Sequence, residues 1–152
     1  MQRKRPRARN AMEFSDIQIT VEPLVIPSPA FESGAGAMID FYGVVRAKEG
    51  EGNISGLDYE VFEEMALRQL AKIVDETVRK RGLRSVILHH RVGFVPVAEP
   101  SLFLRVSAAH RGEAFLASQE IIERLKREVP IWKHPQHKLG APEAPGALEA
   151  AP

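Results

Sequence analysis

Five cationic side chains stand where a folded chain tends to present functional groups. His110 and Arg111, in SAAHRGEAF, fall where a strand gives way to a helix, and the outward-pointing N–H groups of a helix start favour an anion. Arg46 closes FYGVVR just before a glycine-rich loop, and Lys126 and Lys133 bracket a break at Pro130 in LKREVPIWK. Guanidinium forks and ammonium groups bind phosphate oxygens and stabilise developing oxyanions. His90-Arg91 ends another strand in the same manner. Spacing alone explains these positions equally well as a pocket for a phosphorylated small molecule or as a scatter of solvated charges.

Other chemistries find less support. The chain contains no cysteine, which excludes disulfides, thiolate nucleophiles, Fe–S clusters and cysteine-based zinc sites. No glycine-rich loop has Walker or dinucleotide spacing, and no nucleophile elbow is present. His134 and His137 are separated by Pro135 and lack a nearby acidic third ligand, so a zinc site is not expected. His89 and His90 lie on opposite faces of one strand and read as satisfied polar residues at a sheet margin. Glu63-Glu64 reads as a solvated first helical turn.

The elements that must position these groups follow from periodicity. Residues 16–21, 37–46, 54–62, 85–93 and 102–110 read as strands, by alternation or by apolar, β-branched content. Within 37–46, Ala37, Ile39, Phe41, Gly43 and Val45 share one face, with Met38, Asp40, Tyr42, Val44 and Arg46 on the other. Residues 22–36, rich in proline, read as an irregular segment or a short helix, and 47–53 as a turn or flexible loop. From Phe62 the period becomes helical, with a stripe of Phe62, Met65, Ala66, Leu70, Ile73, Val74, Thr77 and Val78 and a natural stop at Gly82. A second helix begins near Gly112, carries a stripe of Phe115, Ser118, Ile121, Ile122, Leu125 and Val129, and ends at Pro130. Lys126 sits at the edge of that stripe. Two long helices among several strands predict an α+β domain.

Length and composition agree with one soluble domain: 152 residues, 44% hydrophobic and 27% charged. No apolar run approaches the ~20 residues of a membrane span, and the N-terminus lacks a signal-peptide core, so a cytoplasmic protein is expected. The net charge of +1 is unevenly spread. MQRKRPRAR holds five of the 21 basic residues, leaving 16 basic against 20 acidic residues elsewhere. Residues 1–12 are expected to be a disordered basic tail, 13–138 the folded domain, and 139–152 a disordered Pro/Ala-rich tail. A five-cation tail without a basic domain behind it is a weak footprint, and nucleic acid is not expected as a partner.

The motifs FYGVVR, LDYEVFEEMA, HHRVG, SAAHRGEAF and LKREVPIWK, taken in that order from about Met38 to Lys133, resemble the large, catalytic subunit of molybdopterin synthase, the MoaE family. The resemblance implies an α/β hammerhead-type fold, antiparallel strands with two long helices, and a homodimer of large subunits. It implies a small ubiquitin-like partner whose Gly-Gly C-terminus, carried as a thiocarboxylate, enters a pocket on the large subunit. Sulfur would pass from that tail to cyclic pyranopterin monophosphate to form the molybdopterin dithiolene, with no cofactor required. Arg46, His110 and Arg111 match residues that line the substrate pocket, and Lys126 and Lys133 match the two lysines associated with catalysis. On this reading Trp132 is an apolar anchor that turns Lys133 towards a pocket shared with Lys126.

Three positions depart from the family pattern. His134-Pro135-Gln136-His137 follow the second lysine, with no later tryptophan. Ala98-Glu99 stands where a Gly-acid pair is usual, and Asp40 occupies a strand position more often uncharged. The altered C-terminal segment motivates an alternative, a non-catalytic relative that binds the small partner as a scaffold.

Overall fold

The computed structural model describes residues 15–50 and 52–138, so the expected tails lie outside the described residues. The chain runs β1 (Ser15–Thr20), β2 (Ala37–Val44), β3 (Lys48–Glu49), β4 (Gly52–Val61), α1 (Glu63–Arg81), β5 (Ser85–Arg91), β6 (Gly93–Pro96), β7 (Pro100–Ala108), α2 (Arg111–Glu128) and β8 (Ile131–His137). This is the α+β architecture expected, with three strands that periodicity did not isolate. β3 and β6 are too short for a pattern to register, and β8 carries a proline and almost no apolar alternation.

One four-stranded sheet has the order β1-β5-β7-β2, with β1 parallel to β5 and the other pairs antiparallel. Both helices cover one face, α1 over β1 and β5 and α2 over β2 and β7. Ala37, Ile39 and Phe41 point into this core together with Leu88, Leu104, Val106, Ile73 and Ile121, as their alternation requires. The second sheet, β3-β4-β6 with β8 also paired to β4, closes over a smaller cluster of Val45, Ile54, Leu57 and Val95.

The helices obey their stripes with instructive exceptions. Ala66, Leu70, Ile73, Val74, Thr77 and Val78 are buried on α1, and Gly82 ends it in the left-handed conformation at φ 61°, its N–H bonded to Val78 O. Phe62 and Met65, expected on that stripe, are exposed. On α2 the buried residues are Ala114, Ala117, Ser118, Ile121 and Leu125, while Phe115 is 62% exposed. The alanines allow close approach to β2 and β7, and this rotates Phe115 outwards. Arg81 and Lys80 then clamp α1 to α2: Arg81 donates to Glu120 at 2.8 Å and to Glu113 at 3.3 Å, and Lys80 to Glu120 at 3.0 Å. The Arg81 guanidinium holds the Glu120 carboxyl below its ordinary range.

The other face of the first sheet is polar and aromatic. Register places Asp40, Arg105, Ile87 and Asp16 side by side, followed by Tyr42, Phe103, His89 and Gln18. Arg105, 3% exposed, grips Asp40 through two donors at 2.6 and 2.8 Å and gives a third to Pro27 O at 2.9 Å. Asp40 is therefore the counter-ion of a buried arginine, which accounts for a charge in mid-strand. His89 and His90 are both buried, not at the sheet margin expected for them, because β5 is an interior strand. His89 donates to Asp16 at 2.9 Å, and His90 Nδ1 to Arg91 O at 2.7 Å.

Candidate active site

His110 and Arg111 are delivered by the turn from β7 into α2. His110 occupies the N-cap with extended backbone (φ −132°, ψ 147°) and no side-chain cap bond, leaving its imidazole exposed. Gly36, just before β2, lies against this turn: a Cβ there would stand 2.3 Å from Ala109 O. Gly36, Ala109, His110 and Arg111 line an open depression of about 580 Å³. The first-turn N–H groups of α2 and the Arg111 guanidinium make it suited to an anion.

Arg46 lies at the other end of the sheet. Its neighbour Val45 is buried, with its N–H bonded to Glu99 O at 3.0 Å and its carbonyl accepting from Ala98 N–H at 2.8 Å. The backbone is thus fixed on both sides while the Arg46 side chain is exposed. The Ala98-Glu99 turn that does this keeps the family's acid, which accepts from Arg91 at 3.0 Å, and holds Ala98 at φ 69°. That conformation favours glycine, which explains the usual residue there.

Lys126 projects from the last turns of α2 and is exposed. Val129 caps the helix through Leu125 O, and Pro130 O accepts from Phe62 N–H at 3.1 Å, tying the helix end to the start of α1. β8 then runs antiparallel to β4, with Lys133 opposite Tyr59. Lys133 Nζ donates to Glu49 Oε1 at 2.5 Å. Trp132 does not anchor this segment. It is 52% exposed, and buried Val129 and the partly buried Ile131 at the edge of the main core hold the strand instead. His134 and His137 do not converge: His134 donates to Glu60 at 3.1 Å, while the His137 ring lies against Gly52.

The single chain separates the five residues into two groups. Ala37 pairs with Ala108 at one end of β2–β7 and Val44 with Pro100 at the other. Eight strand residues span roughly 25 Å, so Arg46 and the His110-Arg111 turn are far apart. α2 returns along β7 and β2, carrying Lys126 about 22 Å from Arg111 along the helix axis. Arg46, Arg111 and Lys126 have no ion-pair partner among the described residues, as is also true of Lys48, Lys72, Arg84, Arg127 and Lys138, whereas Arg68, Arg79, Lys80, Arg81, Arg91, Arg105 and Arg124 are matched. Sequence reasoning missed Glu49 and Arg105. Glu49 sits in an apparently plain loop, and only cross-strand register links Arg105 to Asp40.

Fold and site describe an α+β domain that presents exposed cations, Arg46 and His110-Arg111, near opposite ends of one sheet. Residues 14–128 match the MoaE protein family. The chain is 37% identical over 113 residues to the molybdopterin synthase catalytic subunit of Thermoplasma volcanium, covering 74% of this chain and 82% of that protein. The Aspergillus fumigatus catalytic subunit is 36% identical over 124 residues, and there the match spans 82% of this chain and 66% of the relative. Among solved structures, molybdopterin synthase from Staphylococcus aureus superposes with a TM-score of 0.72 at 32% identity, covering 80% of this chain and 91% of that one. A complex of subunits 1 and 2 of molybdopterin-converting factor from Helicobacter pylori 26695 gives 0.54 at 28% identity, covering 67% and 66%. The chain belongs to the MoaE family.

Proposed function

We propose that the chain acts as the large, catalytic subunit of molybdopterin synthase, a sulfurtransferase of molybdenum cofactor biosynthesis. Its partner is the small subunit, with sulfur carried as a thiocarboxylate on a Gly-Gly tail, and its substrate is cyclic pyranopterin monophosphate. The observation that carries this reading is the match of residues 14–128 to the MoaE family, together with the exposure of His110, Arg111, Arg46, Lys126 and Lys133 at the motif positions. Arg111 and His110, at the helix start, bind the substrate phosphate, and Arg46 lines the same pocket. Lys126 and Lys133 supply ammonium groups where charge develops as the cyclic phosphate opens and oxygen leaves carbon. The thiocarboxylate sulfur is itself the nucleophile, so a chain without cysteine can carry out the reaction.

The separation of the two cationic groups favours a site completed by a second copy. In a two-fold dimer, His110 and Arg111 of one protomer meet Arg46, Lys126 and Lys133 of its partner. No helix among the described residues is long and apolar enough to cross a membrane.

The test is single-turnover conversion of cyclic pyranopterin monophosphate to the dithiolene, with a thiocarboxylated small subunit from the same source. Product formation is expected. A complex that forms without moving sulfur would make the chain a scaffold, and no complex at all would overturn the assignment.

A further inference from the structure

Lys133 differs from the other cations of the site in already being engaged, and by a residue that belongs to no family motif. Glu49 comes from β3, two residues long, which pairs with β4 at Lys48–Asn53 and Glu49–Gly52 and is joined to it by one more bond, from Ile54 N–H to Ala47 O at 3.0 Å. Gly50 follows in the left-handed conformation at φ 62°. A two-residue ribbon is marginal by itself. The ion pair is open to water on its lysine side, with side-chain exposures of 52% for Lys133 and 22% for Glu49. Exposed pairs of this kind are weak and are readily exchanged for another anion. A carboxylate is an oxyanion, as are the phosphate and the (thio)carboxylate of the ligands proposed above.

Resting on the function proposed above, we propose that Glu49 is a displaceable placeholder. It occupies Lys133 in the free subunit and yields it to an oxyanion of the incoming ligand. That oxyanion belongs either to the pterin phosphate or to the (thio)carboxylate end of the small subunit's tail. The β3 ribbon gives way because it is short, with two residue pairs and one flanking backbone bond among the described residues. Binding at Lys133 is therefore a competition, and removing the competitor strengthens it.

The experiment compares wild type, Glu49→Gln and Glu60→Gln in the full chain with the thiocarboxylated small subunit. Glu60 pairs with His134 on the same β4–β8 ribbon, so its variant removes an equal charge nearby without touching Lys133. Glu49→Gln is expected to lower a KM about two- to fivefold, the weight of an exposed ion pair. A lower KM for the pterin identifies the phosphate as the displacing group; a lower KM for the small subunit identifies its tail. A fall in kcat at constant KM would overturn the proposal by showing that Glu49 aims Lys133. An equal KM effect in Glu60→Gln would overturn it by assigning the effect to general charge.

A second readout needs no turnover. The Lys133 side-chain NMR signal, assigned with Lys133→Arg, is titrated with inorganic phosphate. The midpoint should fall two- to fivefold in Glu49→Gln, and an unchanged midpoint refutes displacement. Absence of sulfur transfer by the wild type, with the NMR shift intact, would remove the proposed function and leave the placeholder standing.

Discussion

At the scale of single residues, the buried charges carry most of the structural consequence. Arg105 uses three donors on Asp40 and Pro27, and loss of the carboxylate would leave a nearly inaccessible guanidinium without its counter-ion. Asp40→Asn is therefore expected to destabilise the fold by about 2–4 kcal/mol, read from the urea midpoint at constant m-value. His90 gives a pH signature. Burial holds its imidazole neutral, below the ordinary pKa of 6.5, while Nδ1–H is committed to Arg91 O. Below pH 6.5 the unfolded chain takes up a proton that the native state refuses, so stability rises with pH in that range. The contribution is complete above 6.5 and is lost, at up to about 1.4 kcal/mol per unit, as the solution is acidified. Urea midpoints between pH 7.5 and 5.5 should decline towards acid in the wild type. In His90→Gln that decline should be shallower.

At the scale of elements, the entry into α2 decides how the turn proposed to bind phosphate is presented. A methyl group at Gly36 would meet the Ala109 carbonyl at 2.3 Å and push the β7–α2 turn away from β2. Gly36→Ala should lower kcat/KM at least about tenfold, since a displacement near 1 Å is enough to misalign a bound substrate. Gly112, one residue beyond Arg111, has open space at its Cβ position. Gly112→Ala should fold with equal or slightly greater stability, because alanine is the better helix former. If both variants behave alike, the close approach at Gly36 is not what holds the turn. The periodic elements, both helices and the longer strands, were legible from residues 16–21, 37–46, 54–62, 85–93 and 102–110. β8 was not, because its order comes from hydrogen bonds to β4 and from Val129 and Ile131, not from a pattern of its own.

At the scale of the whole molecule, a rigid sheet about 25 Å long separates the two cationic groups. The proposed dimer makes a quantitative prediction. Arg111→Ala and Lys133→Ala should each be inactive alone. After mixing and subunit exchange, half of the dimers carry both variants, and one of the two sites in each such dimer is intact. Recovery of about a quarter of wild-type activity is expected in the coupled sulfur-transfer assay. No recovery would place Arg111 and Lys133 in one protomer's site and would require a chain rearrangement to join them.

The sequence by itself determined the α+β class, the two helices with the stop at Gly82, the alternating faces of β2 and the residue types suited to an anionic ligand. These are local properties: periodicity, glycine at a left-handed position, and a cation at a strand or helix end all act over a few residues. Tertiary structure alone decided that Asp40 answers Arg105, that His89 and His90 lie inside the sheet, and that Trp132 and Phe115 face outwards. It also decided that Glu49 reaches Lys133 across 84 positions of sequence. Such facts depend on strand order, register and helix rotation, which are set by the joint packing of distant segments and are carried by no single stretch of chain.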